Sequence, residues 1–263
     1  MVKLLKFICF CFCFLLMMVK IFAICKRVTF CQDFVVPLRY NQTCCMSKEK
    51  FYTEREEKAN YLTHVLGLLM GVAGAILLIE RAVVAGNPRA VVAYVLFGLG
   101  MIGCMGASTL YHYVQEPVQK AKLRHYDHAA IYLLIAASYS PFTLILLREE
   151  PYLSWLIFGV VWLIAFTGIL ISFRPLKRNS NLKTASYVLM GLIVLIAFKP
   201  LIEVARAADA IDTVIWLLVG GLFYISGAVI YATARREFVH AVFHLFVLLG
   251  LASHLYAAYL IPL

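Results

Sequence analysis

The feature that most restricts this chain is a series of long stretches without one charged side chain. They occupy residues 61–79, 90–115, 128–147, 152–173, 184–198, 213–234 and 238–263. A helix needs roughly 20 apolar residues to cross a bilayer core. In lipid the backbone must satisfy its own hydrogen bonds, which leaves helices and closed barrels as spanning structures. A barrel would show short alternating segments, and this sequence shows none. The chain is 63% hydrophobic with a mean hydropathy of +0.87, outside the range of ordinary soluble domains. The expected fold is therefore all-α, a bundle of seven transmembrane helices over residues 61–263. The fifth stretch is the weakest, and Lys199-Pro200 should stop it. Short connections imply antiparallel neighbours. Gly98, Gly100, Gly103 and Gly106 would let helices approach closely, and Pro141 should kink the third span.

The formal net charge is +10, but the basic residues sit in short loops rather than on a soluble domain. They orient the chain in a membrane and do not suggest nucleic acid. Lys48, Lys50, Arg55, Lys58, Lys120, Lys122, Arg124, Arg174, Lys177, Arg178, Lys183, Arg235 and Arg236 fall on one side. Arg81, Arg89, Arg148, Lys199 and Arg206 fall on the other. The positive excess puts the N-terminus in the cytoplasm and the C-terminus outside. A plasma membrane is the expected location.

Residues 1–45 differ in kind from the rest. They hold Cys9, Cys11, Cys13, Cys25, Cys31, Cys44 and Cys45, whereas only Cys104 lies beyond. No CxxC pair occurs among them, so a metal cluster or a disulfide tail is not the favoured reading. Basic residues followed by a short apolar run give the stretch a signal-like start. Met46-Ser47-Lys48-Glu49-Lys50 reads as an ordinary cytoplasmic beginning. We expect residues 1–45 to be an upstream extension, with translation starting at Met46 and residues 46–60 forming a cytoplasmic segment.

The polar residues inside the spans carry the functional signal. His240 and His244 are four apart in the last stretch, so on a helix they face one way, one turn apart. That spacing presents two nitrogen ligands to one metal. Ionisable residues within a membrane helix are functional candidates by default. The second span runs inward and the third outward, so His112 and Asp127 reach the same depth as the pair. Three histidines with an open fourth position describe a catalytic type of zinc site. Ser108, four residues before His112, shares its face. Its hydroxyl could hold a water or a substrate oxygen, and Asp127 could take the water's proton or orient it. The segment His240-Ala241-Val242-Phe243-His244 lacks the glutamate of HExxH, so a base must come from elsewhere. The remaining histidines read otherwise. His64 is expected to cap or pack, and His125 and His128 to face the interface or a neighbouring helix. His254 is about 21 Å along the helix from His240, too far to share a metal, and should bond within the core.

These residues resemble the motifs of one family. Glu57-Lys58-Ala59-Asn60-Tyr61-Leu62-Thr63-His64-Val65-Leu66-Gly67 is similar to the opening motif of hemolysin III proteins. So are Ala107-Ser108-Thr109-Leu110-Tyr111-His112, the stretch from Tyr126-Asp127-His128 into Tyr139-Ser140-Pro141-Phe142, and the final His240 to His244 segment with His254. The resemblance covers about residues 50–263, and the four motifs occur in the family's order. It is the bacterial branch of the progestin and adipoQ receptor (PAQR) family, which looks related to alkaline ceramidases. The resemblance implies seven membrane helices, an intracellular N-terminus and a zinc ion near the cytoplasmic face. It implies His112, His240 and His244 as ligands, with Ser108 and Asp127 at the zinc-bound water.

Three functions follow. The first is a zinc-dependent membrane hydrolase acting on an amide or ester of a membrane lipid. The second is a receptor or sensor of lipid state in which zinc is structural. The third, ranked last, is a pore-forming haemolysin, because so apolar a chain offers no soluble form. No duplicated halves support a transporter. Leu, Ile, Val and Phe line the lipid side and specify neither a particular lipid nor an oligomeric state.

Overall fold

The computed structural model describes residues 52–173, 180–234 and 236–263. The extension expected over residues 1–45 therefore lies outside the described residues, as do residues 46–51 of the segment 46–60. Among the described residues every regular element is helical: α1 (Glu54–Val84), α2 (Pro88–Tyr113), α3 (Pro117–Leu144), α4 (Pro151–Ser172), α5 (Ser180–Gly191), α6 (Phe198–Ala207), α7 (Ile211–Thr233) and α8 (Val239–Leu260). Short 3-10 turns follow α3 (Leu146–Glu149) and join α5 to α6 (Leu192–Ala197).

Local sequence explains the helix ends. Thr53 and Glu56 form a reciprocal capping box that starts α1, satisfying amides that have no partner inside the helix. Gly86 takes a left-handed φ of +65°, which a residue without a Cβ adopts cheaply. Asn87 then caps α2, with Pro88 at its first turn. Glu116 and Pro117 repeat the device at α3.

Neighbours pack in the expected antiparallel sense. Gly67 and Gly71 of α1 meet Met105 and Met101 of α2, in that order, so the two chains run oppositely. Gly100 and Gly103 of α2 meet Ala137 and Leu133 of α3 in the same reversed manner. Gly220, Gly227 and Gly250 set α7 against α8. By contrast α1 and α8 run parallel, with Gly67 beside Leu248 and Gly74 beside Leu255. That pairing brings the start of the last helix next to the start of the first. Gly106 departs from expectation, since its Cβ position meets nothing within 4 Å.

Among the described residues six helical segments are long and apolar enough to cross a membrane: Glu54–Val84, Pro88–Tyr113, Pro151–Ser172, the α5–α6 stretch Lys183–Ala207, Ile211–Thr233 and Val239–Leu260. The chain is a multi-pass membrane protein. α3 is more polar than these six. It is also wedged among α2, α4 and α5, and its Ser138, Tyr139, Ser140 and Thr143 are buried. A helix shielded from lipid by other helices can carry hydroxyls if they are bonded. Ser138 donates to Ile135 O (2.8 Å), Thr143 to Tyr139 O (2.9 Å) and Tyr139 to Gly191 O (2.7 Å).

Three boundaries differ from the sequence expectation. α1 begins at Glu54 rather than Tyr61, and α3 at Pro117 rather than His128. Charge ends an apolar run but does not end a helix, so both continue beyond the apolar zone. Lys199-Pro200 does not stop the fifth span either. The 3-10 turn Leu192–Ala197 closes one helix and Phe198 opens the next. Pro200 then lies in the first turn of α6, where an amide proton would have no helical partner anyway.

Candidate metal centre

α2 delivers His112 near its C-terminus, and α8 delivers His240 and His244 in its first two turns. One ligand atom from each lies within 4.8 Å of the others. His112 and His244 are buried, and His240 is half-buried. The imidazole ring centroids of His112 and His240 are 5.1 Å apart, and those of His240 and His244 are 4.2 Å apart. The three sequence candidates therefore form one group.

Each of two rings is held through its Nδ1. Nδ1 of His112 lies 2.8 Å from Oε2 of Glu57. A carboxylate only accepts, so the imidazole donates and its Nε2 keeps a lone pair. Nδ1 of His244 lies 3.3 Å from the Thr63 hydroxyl. That hydroxyl spends its proton on the carbonyls of Ala59 and Asn60, so His244 donates here too. Nε2 of His112 then stands 3.2 Å from Nε2 of His240. Tetrahedral zinc bonded to nitrogen at about 2.0–2.1 Å separates adjacent ligands by about 3.3 Å. The imidazole donor set and this one separation suit a metal ion such as zinc, and His112, His240 and His244 are the residues that would hold it.

The other two sequence candidates come to the same place. Ser108 is buried one turn before His112 on α2. It faces Asp127 of α3, whose carboxylate lies within electrostatic reach of Ser108, His112 and Arg124. Tyr52 covers the outer side. Its ring stacks on His240 with centroids 4.9 Å apart and planes 22° apart. Burial, with Tyr231 beside it, pushes the Tyr52 phenol up.

The remaining histidines also have assignable places. His64 is buried in α1, and its ring meets His244 edge-on at 3.9 Å. It packs against the group without belonging to it. His125 bonds Ser172 O at 2.7 Å, and His128 lies 3.4 Å from the Lys183 ammonium. His254 bonds Leu217 O at 3.1 Å, within the core as expected.

Sequence reasoning missed Glu57 and Thr63 as site residues. Starting the first span at Tyr61 leaves Glu57 in the cytoplasmic segment ahead of it. The signal was present in Thr53-x-x-Glu56, a capping box that begins the helix early enough to place 57, 60 and 64 on one face. Glu56 also fixes the entrance of α8. Its Oε1 accepts the Phe238 amide at 3.0 Å, and Phe238 itself has a left-handed φ of 58°. Asn60, fully buried on that same face, has neither side-chain amide atom bonded among the described residues.

These features define a class: a multi-pass helical membrane protein with a three-histidine centre at one end of its bundle. Comparison with known proteins places it more narrowly. The profile of the haemolysin-III related family matches residues 52–255, and the chain belongs to that family, within the wider PAQR group. It is 35% identical to Hemolysin-3 of Bacillus cereus over 210 residues, 79% of this chain and 93% of that protein. It is 28% identical to the human monocyte to macrophage differentiation factor over 83% of this chain and 85% of that one. It is 26% identical to an adiponectin receptor protein of Drosophila melanogaster, covering 83% of this chain and 52% of the receptor.

Proposed function

We propose that this protein is a zinc-dependent hydrolase of the membrane, cleaving an amide or ester of a lipid. The observation that carries the reading is the convergence of three imidazoles, two anchored through Nδ1, with Ser108 on the helix of His112 and Asp127 on the neighbouring α3. When bound there, a zinc ion would supply Lewis acidity, lowering the pKa of a water toward about 7 and polarising a carbonyl. Asp127 would serve as general base toward the attacking water and then as general acid toward the leaving group. Ser108 holds Asp127 by its hydroxyl and orients it toward His112. Tyr52 stacks over His240 and shields the site from bulk water. The lipid is the membrane's own, reached from within the bilayer.

In this reading α3 is a seventh membrane span, the N-terminus is cytoplasmic and the C-terminus outside. The protein works in the plasma membrane, as a bacterial inner-membrane protein. A second reading, a sensor of lipid state with structural zinc, draws support from the same anchors. The ligands come from α2 and α8 and their partners from α1, so an ion would clamp three helices.

The test is metal content of detergent-purified protein, wild type beside His240→Ala, followed by hydrolysis assays on lipid amides and esters. About one zinc per chain, lost in the variant, is expected. Asp127→Ala should then keep the metal and lose hydrolysis. Wild type without zinc under metal-replete conditions refutes the centre. Zinc retained with no hydrolysis of any lipid by wild type favours the sensor.

A further inference from the structure

Glu57 stands where no sequence motif assigned a task. Its carboxylate is buried in the first turn of α1, 5% exposed. Oε2 accepts from Nδ1 of His112 at 2.8 Å, and Oε1 accepts from the Lys120 ammonium at 2.9 Å. Lys120 is itself held, donating to the carbonyls of Tyr111 and Val114 at 3.1 Å each. Those carbonyls close the end of α2, the helix that carries His112. Lys120, Glu57 and His112 are therefore one chain of bonds. It starts in the first turn of α3, crosses to α1 and ends on the ring of α2.

Resting on the zinc reading, we propose that Glu57 is the positioning residue of the metal centre. Its carboxylate fixes His112 as the Nδ1–H tautomer and aims Nε2 at the ion, and Lys120 locks the carboxylate in that pose. Glu57 is not itself a ligand. It stands behind the imidazole, across the ring from Nε2, with both oxygens already committed. An imidazole bonded to nothing at Nδ1 could rotate or shift its proton to Nε2, and either change removes a ligand. The Thr63–His244 contact does the same work more weakly, because the hydroxyl is neutral and the distance is 3.3 Å. The two anchors thus differ in rank, and the α2–α3 connection bears on the centre through the stronger one.

The test compares zinc and cobalt(II) affinity by chelator competition in the full chain. Wild type, Glu57→Ala, Glu57→Gln, Lys120→Met and Thr63→Val are measured, each with its metal-free melting temperature. Glu57→Ala should weaken zinc binding by about 10- to 100-fold. Glu57→Gln, which keeps an acceptor oxygen, should recover part of the loss. Lys120→Met should fall between wild type and Glu57→Ala, and Thr63→Val should cost less than Glu57→Ala. Histidine-selective 15N spectra should show His112 protonated at Nδ1 in wild type and divided between tautomers in Glu57→Ala. Should Glu57→Ala not fold, Glu57→Gln and Lys120→Met carry the comparison. Variants that melt lower but bind zinc within twofold of wild type would make Glu57 a stitch between helices and overturn the inference alone. Wild type that binds neither metal overturns the inference together with the zinc reading.

Discussion

Gly100 offers the sharpest test of how the bundle holds its site. A Cβ added there would lie 2.2 Å from the Cβ of Ala137, with Leu133 O and the Cα of Leu134 both at 3.4 Å. Ordinary contact begins near 3.4 Å, so α2 and α3 must part by about 1.2 Å (3.4 minus 2.2). No rotamer change relieves the clash, because the opposing atoms are a methyl carbon and backbone. Overpacking of this kind costs about 1–3 kcal/mol. The better helix propensity of alanine returns about 1 kcal/mol. Gly100→Ala should therefore destabilise by up to about 2 kcal/mol, a melting point lower by up to about 8 °C. Gly106→Ala is the control. It lies six residues further along α2 with open space at its Cβ, so it should be neutral or stabilising by up to about 1 kcal/mol. Separation of α2 from α3 also reaches the site, because Ser108 is eight residues, about 12 Å, along α2 from Gly100. Thermal unfolding in detergent reads the stability, and hydrolysis or zinc affinity reads the site. Equal melting points for the two alanine variants would refute the close-approach argument, because both share the propensity gain and only Gly100 meets a neighbour.

Three further outcomes are expected. Tyr94→Phe removes a buried hydroxyl that donates to Ala258 O at 2.9 Å and lies 3.4 Å from Arg81; it should cost about 1–2 kcal/mol in the same unfolding assay, and an unchanged melting point would show that the bond adds nothing. Thr53→Ala breaks the capping box of α1, at about 1 kcal/mol; amide exchange should accelerate in residues 54–57 and also near Phe238, whose amide Glu56 holds, and acceleration confined to α1 would argue against that link. Removing metal with a chelator should lower the melting point, and zinc restored to about 100 times its dissociation constant should recover about 2.7 kcal/mol; indifference to both treatments would count against a resident ion.

Much of the architecture was readable from charge alone. An uncharged run long enough for a bilayer must become a helix, because the backbone has no other partner there. The same rule misplaced helix ends, since it locates the limits of the apolar zone and not of the hydrogen-bond ladder. That is why charge alone begins α1 at Tyr61 and leaves Glu57 outside the site, whereas the helix starts at Glu54. Pro200 misled for a related reason. A proline forbids a helical amide, but whether one is needed depends on where the helix restarts, which the 3-10 turn before Phe198 decides.

For the centre, spacing put His240 and His244 on one face, and alternating spans put His112 and Asp127 at their depth. These are one-dimensional facts, carried by the helical period and by the direction of each crossing. The order of helices around the bundle is not one-dimensional. Gly67 and Gly74 admit Leu248 and Leu255 and so seat α8 against α1 in parallel, which brings Glu57 and Thr63 to the backs of the histidine rings. Which nitrogen faces the centre, and which carboxylate holds it there, depends on contacts between residues 55 and 181 positions apart. Only packing makes such contacts, because each requires helices distant in sequence to meet at a shared height and rotation.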